Sequence, residues 1–482
     1  MRVTELFLTV VFSVVLLLAC APSALGQDPQ PPQDNSEPRP AARAVPPVTY
    51  AGQESDQDST PSLQPDSRPL TGVQSPTLGR PEIGHSYVVP GVQAFDTARS
   101  ISLNQPTGSD WSSVTYLAGS LDLYRVTSHS ELSADYTGGG FFSTQQAQGN
   151  GFFHEMEISQ SFKWRRWRFS LIDQFSYLPE SSFGFGAGTG ISAPGITGSP
   201  ALSQPSLQAP YQPSQSILTS IGTRYSNSFT AEAAYNISAR SSINVAGSYG
   251  ILRFLDPGNI ENDSDIVNVG YNREISKQST VGVLYRFSEY HFLGIPQGLT
   301  DHAVHVAYGR KITGRLAFQL FAGPEIAVFR QPVNNQRQRI TPSGSLTLDY
   351  AMPRGALLLT YNHGVSNGGG LLVGSESDQV RLELQRAILP RWQGSVFFGF
   401  ARNRGLGDSS NLNESGQDYN SYFAGAALNH SLSRNANLSL AYSARIQTST
   451  HNVCAAGSCD THYMQHQVTV GVSWHGRPIV LR

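Results

Sequence analysis

The 482-residue sequence predicts an all-β fold: a transmembrane antiparallel up-and-down β-barrel of about 16 to 18 strands, preceded by a disordered Pro-rich tail. Three observations carry this reading. Apolar residues recur at every second position in run after run, tight turns alternate with long polar loops, and the chain opens on a secretory leader.

Arg2 precedes an apolar run from Leu6 to Ala21, and Pro22, Ser23 and a small-x-small site at Ala24-Leu25-Gly26 follow. Residues 1–26 therefore read as a signal peptide cleaved before Gln27. Leu17-Leu18-Ala19-Cys20 offers a competing reading, with Cys20 as a lipidated first residue. Residues 27–91 are crowded with Pro, Gln, Ser and Asp, including Pro29, Pro31, Pro32, Pro38, Pro40, Pro46 and Pro47, and cannot bury a core. Such a segment reads as an extended periplasmic tail, a leader or an arm for a periplasmic partner, because a polyproline chain rises about 3.1 Å per residue. Residues 92–482 are left for the barrel.

Within the barrel, Val281, Val283, Tyr285 and Phe287 share one face of a strand and Gly282 and Arg286 the other. The same alternation places Val267, Val269 and Tyr271 together, then Leu346, Leu348 and Tyr350, then Val380, Leu382 and Leu384. It continues through Val396, Phe398 and Phe400, through Leu438, Leu440 and Tyr442, and through Val468, Val470, Val472 and Trp474. Seventeen strands are predicted, beginning near Ser113, Glu131, Phe152, Arg168, Asn227, Ser242, Asp265, Ser279, His302, Leu316, Ser343, Ala356, Asp378, Gln393, Ser421, Ala436 and Tyr463. A tail that starts in the periplasm requires one more ascending strand, around Val92 to Leu103, which makes the count eighteen and even, with sixteen the nearest alternative.

Short connections at Ala239-Arg240-Ser241, Lys277-Gln278-Ser279, Gly314-Arg315, Pro353-Arg354-Gly355 and Ser433-Arg434-Asn435 alternate with loops at 180–216, 257–264, 293–301, 333–342, 404–420 and 449–462. Two classes of connection imply two unlike ends, periplasmic turns and extracellular loops, which a soluble sandwich does not need. Tyr235, Tyr271, Tyr308 and Tyr350 stand on the apolar face just before tight turns, Trp474 closes the last run, and Trp164, Trp167 and Trp392 flank turns. They are the candidates for an aromatic girdle at the headgroup level. The opposite face supplies the lumen candidates Glu232, Asn244, Asn268, Arg286, His305, Gln319, Asp349, Arg381, Glu383 and Arg445.

Hydropathy alone hides this architecture. Only 39% of residues are hydrophobic and the mean hydropathy is -0.25, as expected when half of every strand faces a polar lumen. After the leader no stretch reaches the ~18 uncharged apolar residues of a membrane helix, so a chain that spans a membrane must do so as a closed barrel. A net charge of -2 gives no basic footprint, and nucleic acid is not an expected partner.

Cys454 and Cys459 stand between His451 and His462, and in an exported chain the two thiols read as a disulfide, with a two-Cys, two-His zinc site as the alternative. Glu289 with His291, and Asp301 with His302, are the nearest approaches to acid-base pairs; the second pair falls on opposite faces of a strand. The glycine-rich run from Phe183 to Gly190 lacks a following Gly-Lys-Ser/Thr, so it reads as loop, either folded inward or capping the outside. No enzyme activity and no cofactor are expected.

The block Tyr116-Leu117-Ala118-Gly119-Ser120-Leu121-Asp122-Leu123, then Gly138-Gly139-Gly140-Phe141-Phe142, then Gln174-Phe175-Ser176-Tyr177-Leu178-Pro179-Glu180-Ser181, together with the hairpins that follow, resembles bacterial outer-membrane β-barrels of the porin-like kind abundant in acidobacteria. The resemblance covers most of the chain after Val92 and brings no functional residues with it. It implies residence in the cell outer membrane, contact with outer-membrane lipid and with the outer-membrane assembly machinery. Barrels of this class end on an aromatic residue, whereas here Trp474 is followed by His475-Gly476-Arg477-Pro478-Ile479-Val480-Leu481-Arg482, so the assembly signal lies at Trp474 or is divergent. The expected function is a passive pore for small polar solutes. The alternatives are a filled structural or export-linked barrel with a periplasmic partner for the tail, or an outer-membrane hydrolase working through His291; a homo-oligomer is open.

Overall fold

The computed structural model describes residues 86–103, 110–144, 149–178, 223–238, 240–255, 259–276, 278–333, 335–352, 354–406, 418–433, 435–450 and 461–481. Within them run β1 (Ser86–Leu103), β2 (Asp110–Val126), β3 (Ser130–Ser143), β4 (Gly151–Lys163), β5 (Trp167–Leu178), β6 (Arg224–Ser238), β7 (Ser241–Phe254), β8 (Asn262–Ser276), β9 (Ser279–Phe292) and β10 (Gly298–Lys311). They are followed by β11 (Leu316–Val333), β12 (Gln336–Met352), β13 (Gly355–Ser366), β14 (Ser375–Leu389), β15 (Trp392–Gly405), β16 (Asp418–Ser431), β17 (Ala436–Thr450), β18 (Thr461–His475) and the short β19 (Ile479–Leu481).

Each strand from β1 to β18 pairs antiparallel with its sequence neighbours, and β1 pairs with β18 from Gly91 opposite His475 to Leu103 opposite Tyr463. That pairing closes an eighteen-strand barrel and leaves no open edge. Each of the seventeen predicted strands is present, and β1 is the ascending strand that topology demanded, extended down to Ser86. Gly476-Arg477-Pro478 interrupts β18, after which β19 pairs with the foot of β1, Ser86 opposite Leu481 and Val88 opposite Ile479. A proline has no N–H to give to a ladder, which accounts for the break.

The alternation sorts every strand into two faces. Val283, Val304, Val306, Leu382, Leu440, Val470 and Val472 are exposed on the outside, while Asn268, Thr280, Ser288, Thr360, Ser421 and Thr469 are buried on the inside. A water-soluble protein has the opposite arrangement, with its apolar side chains sequestered. Both ends of the described chain lie at one end of the barrel with the tight connections, and the long connections lie at the other, where the β11–β12 reversal is the short exception.

The structure corrects the expected loop at 333–342. β11 and β12 continue as a paired ribbon up to Val333 opposite Gln336, and the reversal is made at Asn335, whose φ of 62° is a left-handed value that asparagine tolerates. Gln336-Arg337-Gln338-Arg339 carries no apolar alternation because this part of the hairpin rises above the apolar belt and meets water on both faces. The leader with Cys20, the tail up to residue 85 and the glycine-rich run 183–190 lie outside the described residues.

Replacing Val306, 63% exposed in the middle of β10, with Arg is expected to destabilise the barrel in vesicles by about 2 to 4 kcal/mol, the cost of a cation on the lipid face near the midplane. Urea unfolding followed by Trp fluorescence checks this; a change below 1 kcal/mol would mean that β10 does not face hydrocarbon.

Candidate functional site

The long-loop mouth is crossed by the connection between β13 and β14, Asn367-Gly368-Gly369-Gly370-Leu371-Leu372-Val373-Gly374. Gly368, Gly370 and Gly374 take φ values of 79°, 92° and 75°, left-handed values that a side chain would strain, and a 3-10 turn spans Gly368–Gly370. These reversals turn the segment inward. On one side the Ile260 amide donates to the Gly370 carbonyl (2.7 Å) and Asn367 Nδ2 donates to Asn262 Oδ1 (3.2 Å). On the other, the Leu406 amide donates to the Gly374 carbonyl (3.1 Å) and Leu372, 1% exposed, packs against Tyr419 of β16. Asn262 opens β8 and Asn367 follows β13, with β9 to β12 between them in the sheet, so the segment bridges walls that no strand pairing joins. Val365 and Val373 pack with Phe292, Leu299, Phe329 and Leu406 in an apolar cluster under it.

Below the crossing lies a buried charge cluster on the inner faces of β9, β10 and β11. Arg286 Nη2 donates to Asp301 Oδ2 (3.1 Å) and to Glu325 Oε1, and both carboxylates are essentially inaccessible to water. Glu325 Oε2 accepts the Val365 amide (3.0 Å), two residues before the crossing segment begins. One guanidinium thus neutralises one of two carboxylates and, through Glu325, ties the root of the loop to the β11 wall. Buried polar groups of this kind stay favourable only while they remain paired. His305 Nε2 and Ser343 Oγ are 2.7 Å apart on the neighbouring inner wall.

Further round, Arg381 Nη2 donates to Glu383 Oε2 (3.1 Å) while the Arg381 guanidinium lies 5.7 Å from the centre of the Phe397 ring. The inner wall of β2 to β6 is rich in carboxylates: Asp122, Glu131, Asp135, Glu155, Glu157 and Glu232, against Lys163 and Arg168. Glu157 accepts from Gln174 Nε2 (2.8 Å), and Lys163 lies 3.4 Å from Glu131. Above these, Phe95, Tyr116, Phe141 and Phe153 form an inward aromatic cluster in which the Phe95 and Tyr116 rings stack at 4.6 Å.

Every lumen candidate read from the sequence falls on the inner parity of its strand: Glu232 on β6, Asn244 on β7, Asn268 on β8, Arg286 on β9, His305 on β10, Gln319 on β11, Asp349 on β12, Arg381 and Glu383 on β14, Arg445 on β17. The structure brings Arg286 to Asp301 and Glu325 and joins Arg381 to Glu383; Asn244 Oδ1 accepts from Asn272 Nδ2 (3.1 Å). Tyr235, Tyr271, Tyr308, Tyr350 and Trp474 all lie on the outer face toward the short-turn end. Tyr235 packs against Trp167 at 4.6 Å and Tyr308 meets Phe318 edge-on. Glu289 and His291 share the outer face at the long-loop rim, 3.3 Å apart, with Arg330 also on His291. Asp301 and His302 point to opposite faces, and His302 bonds outward to the Tyr285 hydroxyl (2.8 Å). Cys454, Cys459 and His451 lie outside the described residues. Among the described residues no three metal-binding side chains converge.

Sequence reasoning missed Glu325 and the inward course of 367–374. The available signals were the spacing of Glu325 from Gln319 by an even number of residues, and the apolar triplet Leu371-Leu372-Val373 inside a glycine-rich loop.

No known sequence family matches the chain, and neither does any curated protein sequence. Solved structures with a similar chain course include Acinetobacter baumannii OccAB4, at 8% identity over 81% of this chain and 99% of that one with a TM-score of 0.42. Pseudomonas aeruginosa OccK2 (OpdF) matches at 9% identity over 80% and 98%, TM-score 0.44, and the outer membrane protein opdK from Pseudomonas aeruginosa at 7% over 81% and 99%, TM-score 0.41.

Arg286→Ala strands two buried carboxylates, and the expected loss is roughly 3 to 5 kcal/mol of stability against urea. Adding Asp301→Asn and Glu325→Gln to the same chain is expected to recover most of it; no recovery in the triple variant would show that the three groups are not coupled.

Proposed function

We propose that this protein is an outer-membrane channel for small polar solutes, narrowed at its long-loop mouth by the 367–374 crossing. The single observation that carries the reading is an eighteen-strand closed barrel with an apolar exterior and a polar, charge-bearing interior, the arrangement a membrane-spanning barrel requires. The two kinds of connection support placing the short turns, the chain ends and the Pro-rich tail in the periplasm, with the long loops outside the cell. The outward aromatic residues near the short turns suit the inner headgroup level, and Trp474 at the end of β18 suits recognition by the assembly machinery. Passage is governed by the loop and by wall charge rather than by bond chemistry.

One observation favours a second reading, a filled barrel that carries no current. Inward side chains such as Thr280, Asn403 and Ser421 are fully buried, more than the wall of a wide aqueous pore requires. Single-channel recording in planar bilayers separates the two. A channel gives discrete conductance steps, and deleting Gly369–Val373 enlarges them. Glu325→Gln, which weakens the hold on the loop root, is expected to keep the step size and add flicker between open and closed levels. Silence in all three proteins would replace the channel with the filled barrel.

A further inference from the structure

On the outer face of β5, Asp173 stands between Leu171 and Phe175, with Trp167 toward the short-turn end and Tyr177 toward the other. Its carboxylate is therefore at mid-height of the apolar belt. At comparable height the outward residues of the two flanking strands are apolar, Ile158 on β4 and Phe229 on β6, as are Val283 on β9, Val306 on β10, Leu382 on β14, Phe398 on β15 and Val470 on β18; the outward carboxylate opposite Val470, Asp96 on β1, already accepts from the Ser113 and Thr115 hydroxyls. A carboxylate in hydrocarbon is costly, and lipid chains offer it no donor. Its hydrogen bond comes from Asn227 Nδ2 on β6, 3.1 Å from Asp173 Oδ1, and among the described residues neither side chain has another.

The surface beside this pair is low. Leu171 lies opposite Ala231, and Ala231 opposite Gly247, where an added Cβ would meet nothing within 4 Å; Ala233 continues the hollow toward the short turns. Phe229 and Tyr249, both exposed, rim it. Small outward residues let a second backbone approach, and bulky neighbours then interlock around the contact.

We propose that the face of β5 to β7 is an interface between two copies of this chain, formed across a two-fold axis along the membrane normal beside Ala231. The inference rests on the membrane-spanning reading above and goes beyond it. A second copy is the occupant the chemistry selects, because the face holds both halves of the missing contact: the spare Asp173 oxygen accepts, and the spare Asn227 N–H donates. A two-fold contact is isologous, so each copy's Asn227 meets the other's Asp173, and both carboxylates leave the lipid.

The test uses the full chain refolded into phosphatidylcholine vesicles. Ala231→Cys is expected to cross-link to a dimer on mild oxidation, while Leu382→Cys on the far wall is not, and native mass spectrometry of the wild type is expected to give dimer. Combining Ala231→Cys with Asp173→Leu and Asn227→Leu, apolar changes that suit the belt, is expected to cut cross-linking at least tenfold and leave monomer. Monomer throughout, or equal cross-linking from Ala231→Cys and Leu382→Cys, in barrels that resist urea extraction from the vesicles overturns the interface alone. Extraction of the wild-type protein by urea overturns the membrane-spanning reading and the interface with it.

Discussion

A strand in hydrocarbon has no water to satisfy its amides and carbonyls, so every backbone group must find a partner on a neighbouring strand. The pairing of β1 with β18 is where that requirement is met for the whole sheet. Without it two edges would stand open in lipid, and the exposed valines and leucines of the outer face would have no stable setting in water either. The even strand number, the common location of both ends of the described chain and the alternation of turn and loop all follow from closing an up-and-down sheet on itself.

Closure creates an interior that hydrophobic burial cannot organise. The inner wall is polar by parity, and its order comes from paired charges and hydrogen bonds: Arg286 with Asp301 and Glu325, Arg381 with Glu383, Asn244 with Asn272. The first and last of these link strands that are neighbours or next-neighbours, and the Arg381–Glu383 pair stays within β14. The 367–374 segment is different, since it joins the top of β8 to Tyr419 of β16 and so crosses the mouth instead of following the wall. Its root is held by Glu325, which couples the shape of the mouth to the charge balance of the wall beneath it.

The outside is just as informative. Cross-strand pairs of Tyr and His recur on the outer face toward the long-loop end, Tyr136 with His154, Tyr285 with His302 and Tyr442 with His466, each at 2.8 to 2.9 Å. Rings with one apolar body and one polar tip suit a boundary between hydrocarbon and water. Two outward carboxylates interrupt that belt, Asp96 with the Ser113 and Thr115 hydroxyls and Asp173 with the Asn227 amide, and each is met by a donor from the adjacent strand.

Much of this was legible in the order of residues. A period of two needs only neighbouring positions to show itself, so Val281-Gly282-Val283-Leu284-Tyr285-Arg286 declares a strand with Arg286 inward, and the turn sequences declare where each strand ends. Only the upper part of the β11–β12 hairpin is silent in the sequence, because above the belt neither face is apolar and the signal vanishes, although Gln336, Gln338 and Arg339 are paired backbone. What alternation cannot carry is which inward groups meet. Arg286, Asp301 and Glu325 sit on three successive strands at separations set by register, and Asn367 finds Asn262 only because three glycines with positive φ turn a short loop inward. Local periodicity is enough to declare the barrel, its two ends and the inward or outward side of each alternating strand; the Arg286–Asp301–Glu325 cluster and the crossing of the mouth depend on distances between residues far apart in the chain, which only strand register and the course of the loop set.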